Sequence, residues 1–591
     1  MAQDYPAQVN LYDVFEVVLK GPEDSGLFTE QTVCGVFTGR NESVSVRGFY
    51  DGDGNYRIRF MPSYEGRYSF TLNASFIKGM LSGVFYVAPC ERTIHGPVRV
   101  NEKYHFAYMD GTPYFPFGTN IQDLVTTQNS TTLKSLRRAS FNKVRFLFPQ
   151  PGIDGTIVLE SLRKTEKWIE VLAGNGLETE CVLFHDLSMY EENDETFSFF
   201  TNYISYIMTR FGAYRNIWWS LVEIDHGTTK EKNLIHRLVE TIKNLDPYGH
   251  LWTMMNGNRI YGENEYPFTH LSIRGNGSED IKGLREKYQC PVIVDELGCE
   301  GNYPYEWNSL MAEDLVSRCW KVCMQGGYPG HSEMYISDED VWSINGGALE
   351  GKSQARLKFL CACINEMPDY NITVRETSSG YVAAIPEEES GHASCSKYLY
   401  YLSNRCPAYQ DLYIDEDTKF AVDILDTWNM TCTFQGVYSG HFRVELPSRP
   451  YMAVLLRYPT EEEYARTKET TKEEKTNSKE DIHPQEEIDA FAKTQILEMP
   501  DDESDYMEAT EVHDHTQRLS VQDLSIEQKE DPITMTSTME LDSKEVLTDS
   551  DPVETEEAFM DDDELPSIVK DGSIHERDCG EATFGYSDDS E

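Results

Sequence analysis

With 591 residues, 101 acidic against 52 basic side chains and a formal net charge of −49, the chain is too long for one hydrophobic core, which stops growing near ~250–300 residues, so several domains are expected. An acidic chain repels phosphate backbones, and no basic cluster is interleaved with aromatics, so nucleic-acid binding is not expected. Residues 459–591 hold 42 acidic and 11 basic side chains, which is −31 of the total and leaves the rest only mildly acidic.

The opening residues, MAQDYPAQVNLYDVFEV, contain neither a basic stretch nor an unbroken apolar one, unlike a secretory signal, and no apolar run reaches the ~18–20 residues of a membrane span. A cytoplasmic location is the expectation, with secretion by another route left open. From Tyr12 to about Val87, short alternating runs such as VFEVVL, VSVRGFY, YRIRFMP and GRYSFTL are separated by Gly, Asp and Asn. This is the pattern of a small antiparallel Ig-like β-sandwich, placed at 1–95.

From about Gly96 the texture changes to short apolar runs alternating with helical stretches. The runs are PYFPFGTN (113–120), KVRFLFP (143–149), ECVLFH (180–185), NIWWSLVE (216–223), HLWTMMNG (250–257), FTHLSIRG (268–275), PVIVDELG (291–298) and GGYPGHSEMY (326–335). Eight strands with helices between them predict a (β/α)₈ TIM barrel over 96–370. An open doubly wound sheet is the competing fold, but no Gly-rich phosphate fingerprint follows the first run, and no cofactor is expected. Alternation returns in KYLYYLS, KFAVDILDTWNM and MAVLLRY, a second β-sandwich over 371–458. Residues 459–591, rich in Glu, Asp, Ser and Thr, cannot bury enough apolar surface to offset ordering entropy and are expected to be disordered. Within them EEIDAFAKTQILEM (486–499) is the piece that would fold on a protein partner, although a chance pattern is the plainer reading.

In such a barrel the reacting groups sit at the C-terminal ends of strands. Glu223 closes the fourth run and Glu296 the seventh, two strands that face each other across a barrel. Retaining glycoside hydrolysis needs a carboxyl that protonates the leaving oxygen and a second, ~5–5.5 Å away, that attacks the sugar carbon. A single strand-end glutamate is more often solvated or salt-bridged; the pair at these two ordinals makes them the catalytic candidates. Asp295, one residue earlier, alternates to the other face and reads as structural. Trp218, Trp219 and Trp342 are candidate sugar-stacking residues, with core packing the bland reading for the first two. His185, His331 and Glu333 end the third and eighth runs and are candidates to hydrogen-bond sugar hydroxyls, a satisfied rim residue being the alternative. No HExxH or similar spacing occurs, so no metal is expected. The thirteen cysteines lack zinc or disulfide spacing and read as free thiols, mostly buried.

Ten segments in order resemble one family: among them VRGFYDGDGNYRIRFMPSYEGRYSF, GPVRVNEKYHFAYMDGTPYFPFGTN, CVLFH, FGAYRNIWWSL, THLSIRG, PVIVDELGCEGN, GGYPGHSEMY and ILDTWNM. The likeness, from about 10 to 458, is to glycoside hydrolases with a DUF5060 N-terminal sandwich, a DUF4038-like or apiosidase-like clan-A barrel and a DUF5605 C-terminal sandwich. It implies an acid/base after strand four and a nucleophile after strand seven, which fall on Glu223 and Glu296, and a carbohydrate substrate. The family pattern WWSLANEYD reads WWSLVEIDH here, with one residue fewer before the glutamate and no asparagine. Strict alternation then turns Glu223 out of the acid/base position and places Ile224 there, predicting an impaired proton donor. A degenerate glycosidase fold that binds glycan or a protein partner is the alternative function.

Overall fold

The computed structural model describes residues 5–465, apart from 25, 92, 126–129, 153–156, 189, 225–226, 243–244, 257–267, 338–339, 366–372, 378–379 and 387–394, together with 494–495. The bulk of the acidic segment, 486–499 included apart from Thr494–Gln495, which pairs antiparallel with Cys432–Thr433, lies outside the described residues; just past strand Met452–Arg457, Arg457 holds Glu463 through two hydrogen bonds of 2.9 and 2.7 Å.

Seven N-terminal strands wrap a core of Phe15, Val17, Phe37, Ile58, Phe60, Phe70 and Phe85. Strand Ser43–Tyr50 belongs to both layers: Ser43–Arg47 pairs with Val33–Thr38, and Gly48–Tyr50 pairs with Tyr56–Ile58. The crossing needs Gly48, because a Cβ there would lie 2.7 Å from the Arg57 carbonyl and 2.9 Å from Val33.

The central domain is a ring of parallel strands. We label them β1 (Gly118–Asn120), β2 (Lys143–Leu147), β3 (Glu178–Asp186), β4 (Ile217–Ile224), β5 (Trp252–Thr253 and Met255–Asn256), β6 (Leu271–Arg274), β7 (Val292–Glu296) and β8 (Tyr328–His331). Each pairs in parallel with the next, β8 returns to β1, and the two halves of β5 join β4 to β6. The eight predicted runs all supply a strand, since strands covered on both faces read as apolar runs. At β8, a Cβ on Gly330 would meet the Asp295 carbonyl at 2.2 Å, so only glycine permits this approach to β7. The helices follow from period and caps. Helix Asp194–Phe211 opens on Asn193, whose side chain accepts the Thr196 N–H at 2.8 Å. It buries Phe200, Tyr203, Ile204, Ile207 and Phe211, one face at 3–4 spacing.

A three-stranded sheet, Val98–Asn101, His105–Tyr108 and Pro113–Tyr114, closes the N-terminal end of the ring. Its Phe106 packs on Trp218, His270 and Tyr328 at centroid distances of 5.3, 5.6 and 5.2 Å. The run 113–120 therefore splits between this floor and β1. Pro116, which has no N–H to give a ladder, lies between the two pieces.

In the C-terminal sandwich the pair Tyr409–Tyr413 and His441–Glu445 packs Leu412, Phe442 and Val444 against Phe420, Val422, Val454 and Leu456 of the larger sheet. It shares a core with the barrel: Tyr401 stacks on Trp320 at 5.1 Å and donates to the Ser317 hydroxyl at 3.2 Å. Among the described residues the cysteines are free, six of them buried and two, Cys34 and Cys406, exposed. No helix among those residues is long and apolar enough to cross a membrane.

Candidate active site

The barrel lumen is charged rather than oily. Lys143 on β2 donates to Glu180 of β3 at 2.5 Å and to Asp295 of β7 at 2.9 Å. Because β2 and β7 are not neighbours in the ring, the ammonium must stand inside it. Ser272 of β6 donates to the other Asp295 oxygen at 2.5 Å, and Asn120 of β1 donates to the Asp295 carbonyl at 2.7 Å. Arg145, two residues beyond Lys143 and so on the same face, donates through Nε to Glu180 at 3.1 Å. Its Nη1 lies 2.6 Å from Glu223 Oε2. Arg145 Nη2 is a buried donor without a partner among the described residues.

At the mouth, Arg274 of β6 donates through Nε to Glu296 Oε2 at 2.5 Å. Glu223 and Glu296, from opposite strands, hydrogen-bond each other. Burial raises the Glu296 pKa, but Arg274, Arg145 and the bond from Glu223 outweigh it and hold the carboxyl below its ordinary range. For Glu223 burial dominates; Arg145 opposes it and the Glu296 charge adds to it, leaving a pKa of about 7. One carboxyl thus titrates near neutrality while the other is held ionised, the division of labour that acid/base chemistry on a paired site requires.

Two local features produce this. On β7 the ladder with β6 slips: Ile273 faces Val294, but Arg274 faces Glu296. The extra residue, Asp295, is a bulge, so Asp295 and Glu296 both serve the lumen side instead of opposite faces. This corrects the alternation expected for Asp295, which is buried on Lys143 and Ser272, and it seats Arg274 directly across from Glu296. On β4 the ladder with β3 runs unbroken to Ile224. Trp218 faces the lumen, with Lys143 Nζ 5.3 Å from its ring, so alternation would send Glu223 outward. Its carboxylate lies instead on Arg145 and Glu296, at the penultimate position of the strand. The expected loss of Glu223 from the mouth does not describe this side chain. The missing amide is real: Val222 is buried in its place.

The remaining candidates lie elsewhere. Trp218 is buried on the floor, its indole donating to Glu178 at 2.9 Å. Trp219 is buried with β5 alongside. Trp342 is buried and donates to Thr119 at 2.8 Å, and the Thr119 hydroxyl also bonds His331 Nδ1 at 3.0 Å. Burial pushes the His331 pKa down to about 3, so its ring is neutral. Glu333 accepts the Glu350 N–H at 2.6 Å, and burial, reinforced by Glu300, raises its pKa to about 8. His185 is half-buried at the end of β3, its backbone N–H given to Gln150 at 2.9 Å. The structure brings Glu223 and Glu296 together and gives none of these six a hydrogen bond to either glutamate among the described residues. Arg145 and Arg274 were not anticipated, although a signal existed: Arg274 is a cation near the end of the run FTHLSIRG, and Arg145 stands two residues after Lys143 in KVRFLFP, both runs otherwise apolar enough to be buried strands.

Fold and site together define a multidomain protein whose middle is a (β/α)₈ barrel with a glutamate pair at its mouth. Residues 8–75 match the family model "Domain of unknown function (DUF5060)", and residues 387–457 match "Domain of unknown function (DUF5605)". The chain thus carries both of the flanking domains expected from its sequence. Among solved structures it resembles a "putative glycoside hydrolase" from Bacteroides vulgatus ATCC 8482, at 26% identity and a TM-score of 0.66, over 76% of this chain and 100% of that one. It also resembles a glycoside hydrolase family 5 structure from the same organism, at 14% identity and a TM-score of 0.49, over 62% and 94% of the two chains. No curated protein matches it.

Proposed function

We propose that this chain is a retaining O-glycoside hydrolase acting on a carbohydrate, with Glu296 as nucleophile and Glu223 as acid/base. The observation that carries this reading is the direct meeting of two carboxyls from β4 and β7 with pKa values displaced in opposite directions. A pair in contact fits the ~5–5.5 Å spacing of a retaining enzyme better than the ~6.5–9.5 Å that an inverting enzyme needs for its water. In the first step Glu223 gives its proton to the glycosidic oxygen as the bond to the anomeric carbon breaks, and Glu296 forms an ester with that carbon. In the second, Glu223, now ionised, takes a proton from water, whose oxygen displaces Glu296.

Two expectations follow from these roles. Because the donor must be protonated, kcat/KM should fall as pH rises through about 7, the Glu223 value, and the acid limb should lie below the ordinary glutamate range, where Glu296 ionises. A pH profile on one chromogenic glycoside checks both limbs; an alkaline limb above pH 9 would remove Glu223 from the donor role. Glu223→Gln should lower kcat about 10²–10⁴-fold on glycosides with poor leaving groups, and far less on aryl glycosides whose leaving group departs unprotonated.

A second reading, a degenerate glycosidase fold that binds glycan or a protein partner, is favoured by Val222, which offers no amide to a sugar 2-hydroxyl. A screen of chromogenic glycosides and polysaccharides with Glu296→Gln as control separates the two. Turnover that the substitution abolishes supports the hydrolase, whereas glycan binding without turnover supports the second reading.

A further inference from the structure

We propose that Arg274 is the positioning residue that decides which glutamate of the pair is ionised, keeping Glu296 the anion and Glu223 the acid. The proposal rests on the reading of this pair as nucleophile and acid/base. Each glutamate touches an arginine, so contact alone does not break the symmetry; what each arginine already serves does. Arg145 is shared, its Nε on Glu180 and its Nη1 on Glu223. Beneath it, Lys143 is shared between Glu180 and Asp295. Two cations therefore meet Glu180 and Asp295, and their charge is spent before Glu223 is counted. Arg274 has one carboxylate partner among the described residues, Glu296. With Arg274 present, the neutral arrangement is Lys143 and Arg145 against Glu180 and Asp295, Arg274 against Glu296, and a proton on Glu223. Without it, four carboxyls would share two cations and nothing would favour Glu296 as the anion.

The placement comes from the backbone. The register break between Ile273 and Arg274 sets Arg274 opposite Glu296, and the Gly275 N–H given to the Glu296 carbonyl at 2.9 Å fixes the strand ends together. Among the described residues, the groups that act most on the Glu296 carboxyl are Arg274 from β6, Arg145 from β2 and Glu223 from β4, with Cys299 from the loop after β7 beside it. Burial keeps the Cys299 thiol protonated, its pKa pushed up to about 12, so Arg274 is the cation with no other duty. Its side chain is 41% exposed, which separates this role from a structural one: removing it opens no cavity, and stability should barely change.

The test follows the two carboxyls directly, by isotope-edited infrared or carbon NMR titration of the full chain labelled at glutamate side chains, with Glu296→Gln and Glu223→Gln assigning the signals. In the unsubstituted protein Glu296 should ionise before Glu223. In Arg274→Gln the Glu296 midpoint should rise by at least about one pH unit, with partial return in Arg274→Lys and a melting temperature within about 2 °C of the parent, the scale of a surface ion pair. A smaller rise overturns the proposal, as does an Arg274→Lys variant no different from Arg274→Gln. Where a substrate is turned over, the acid limb of kcat/KM should move up with the midpoint. If the midpoints shift as stated and no glycoside is hydrolysed, the hydrolase reading fails and the role of Arg274 stands.

Discussion

Glu296→Gln should lower turnover of any hydrolysed glycoside by about 10⁴-fold or more, the scale on which removing an attacking side chain acts in enzymes where it has been measured, and leave the fold intact. The amide matches the carboxylate in shape, so the pocket between Arg274 and Glu223 keeps its packing. What it lacks is the charge that attacks the anomeric carbon and the oxygen that carries the ester. The lost ion pair is a partly exposed one, Arg274 being 41% open to solvent, and such pairs contribute about 0–1 kcal/mol. A further consequence distinguishes this substitution from a disturbance of the whole mouth. The Glu296 charge raises the Glu223 pKa, so in the variant Glu223 should release its proton at lower pH than in the parent, which a carboxyl titration reads directly. Unchanged turnover would move the nucleophile elsewhere, with Glu300 or Glu333 next in line. Both are poor candidates. Glu300 is fully buried and accepts the backbone N–H groups of Lys352 and Ser353 at 2.7 and 2.9 Å, and Glu333 holds a backbone N–H and is protonated at neutrality.

The eight strands were legible because two-sided burial writes itself as apolar runs, and the glutamate pair was legible because a charge ending such a run has few reasons to be there. What sequence did not disclose is register. Period-two alternation assigned Asp295 and Glu296 to opposite faces, and a one-residue bulge against β6 undoes that assignment without any glycine or proline to announce it. Alternation likewise misplaced Glu223, which stands at a strand end, where the rule weakens. Lys143 and Arg145 lie two apart in KVRFLFP and share a lumen face, a pattern that could have signalled a charged layer inside the ring. Helix Ser130–Arg138 escaped notice because STTLKSLRR has only two apolar residues on which a helical period could show. Trp218 was drawn toward sugar stacking by its residue type alone; its position at the start of β4 puts it on the floor beside Phe106, a full strand length below the mouth.

The largest effect on stability is expected far from the mouth, at the seam between the N-terminal sandwich and the barrel. Arg210, at the end of helix Asp194–Phe211, is fully buried and donates to Asp51 at 2.7 Å, to the Tyr206 hydroxyl at 3.1 Å and to Glu166 at 2.8 Å. Asp51 comes from the sandwich; Glu166 comes from helix Leu159–Gly174 of the barrel. Arg59 of the sandwich also reaches Glu166 and donates to the Arg210 carbonyl at 2.8 Å. Arg57 and Glu16 join the set, so three arginines face three carboxylates, with a fourth, the 39% exposed Arg163, at the rim 3.5 Å from Asp51. Such a network gains little net energy from forming, because desolvation offsets attraction, but losing one partner strands the others without water. Arg210→Met, which keeps much of the side-chain length, should therefore cost about 3–5 kcal/mol, read as a fall in the urea midpoint. The Asp51→Asn, Arg210→Met double variant, which leaves Arg57 and Arg59 against Glu16 and Glu166, should recover most of that loss. Equal instability in the single and double variants would mean that packing, not charge, holds this seam. No change in either would mean the sandwich and barrel are joined by their apolar contacts alone.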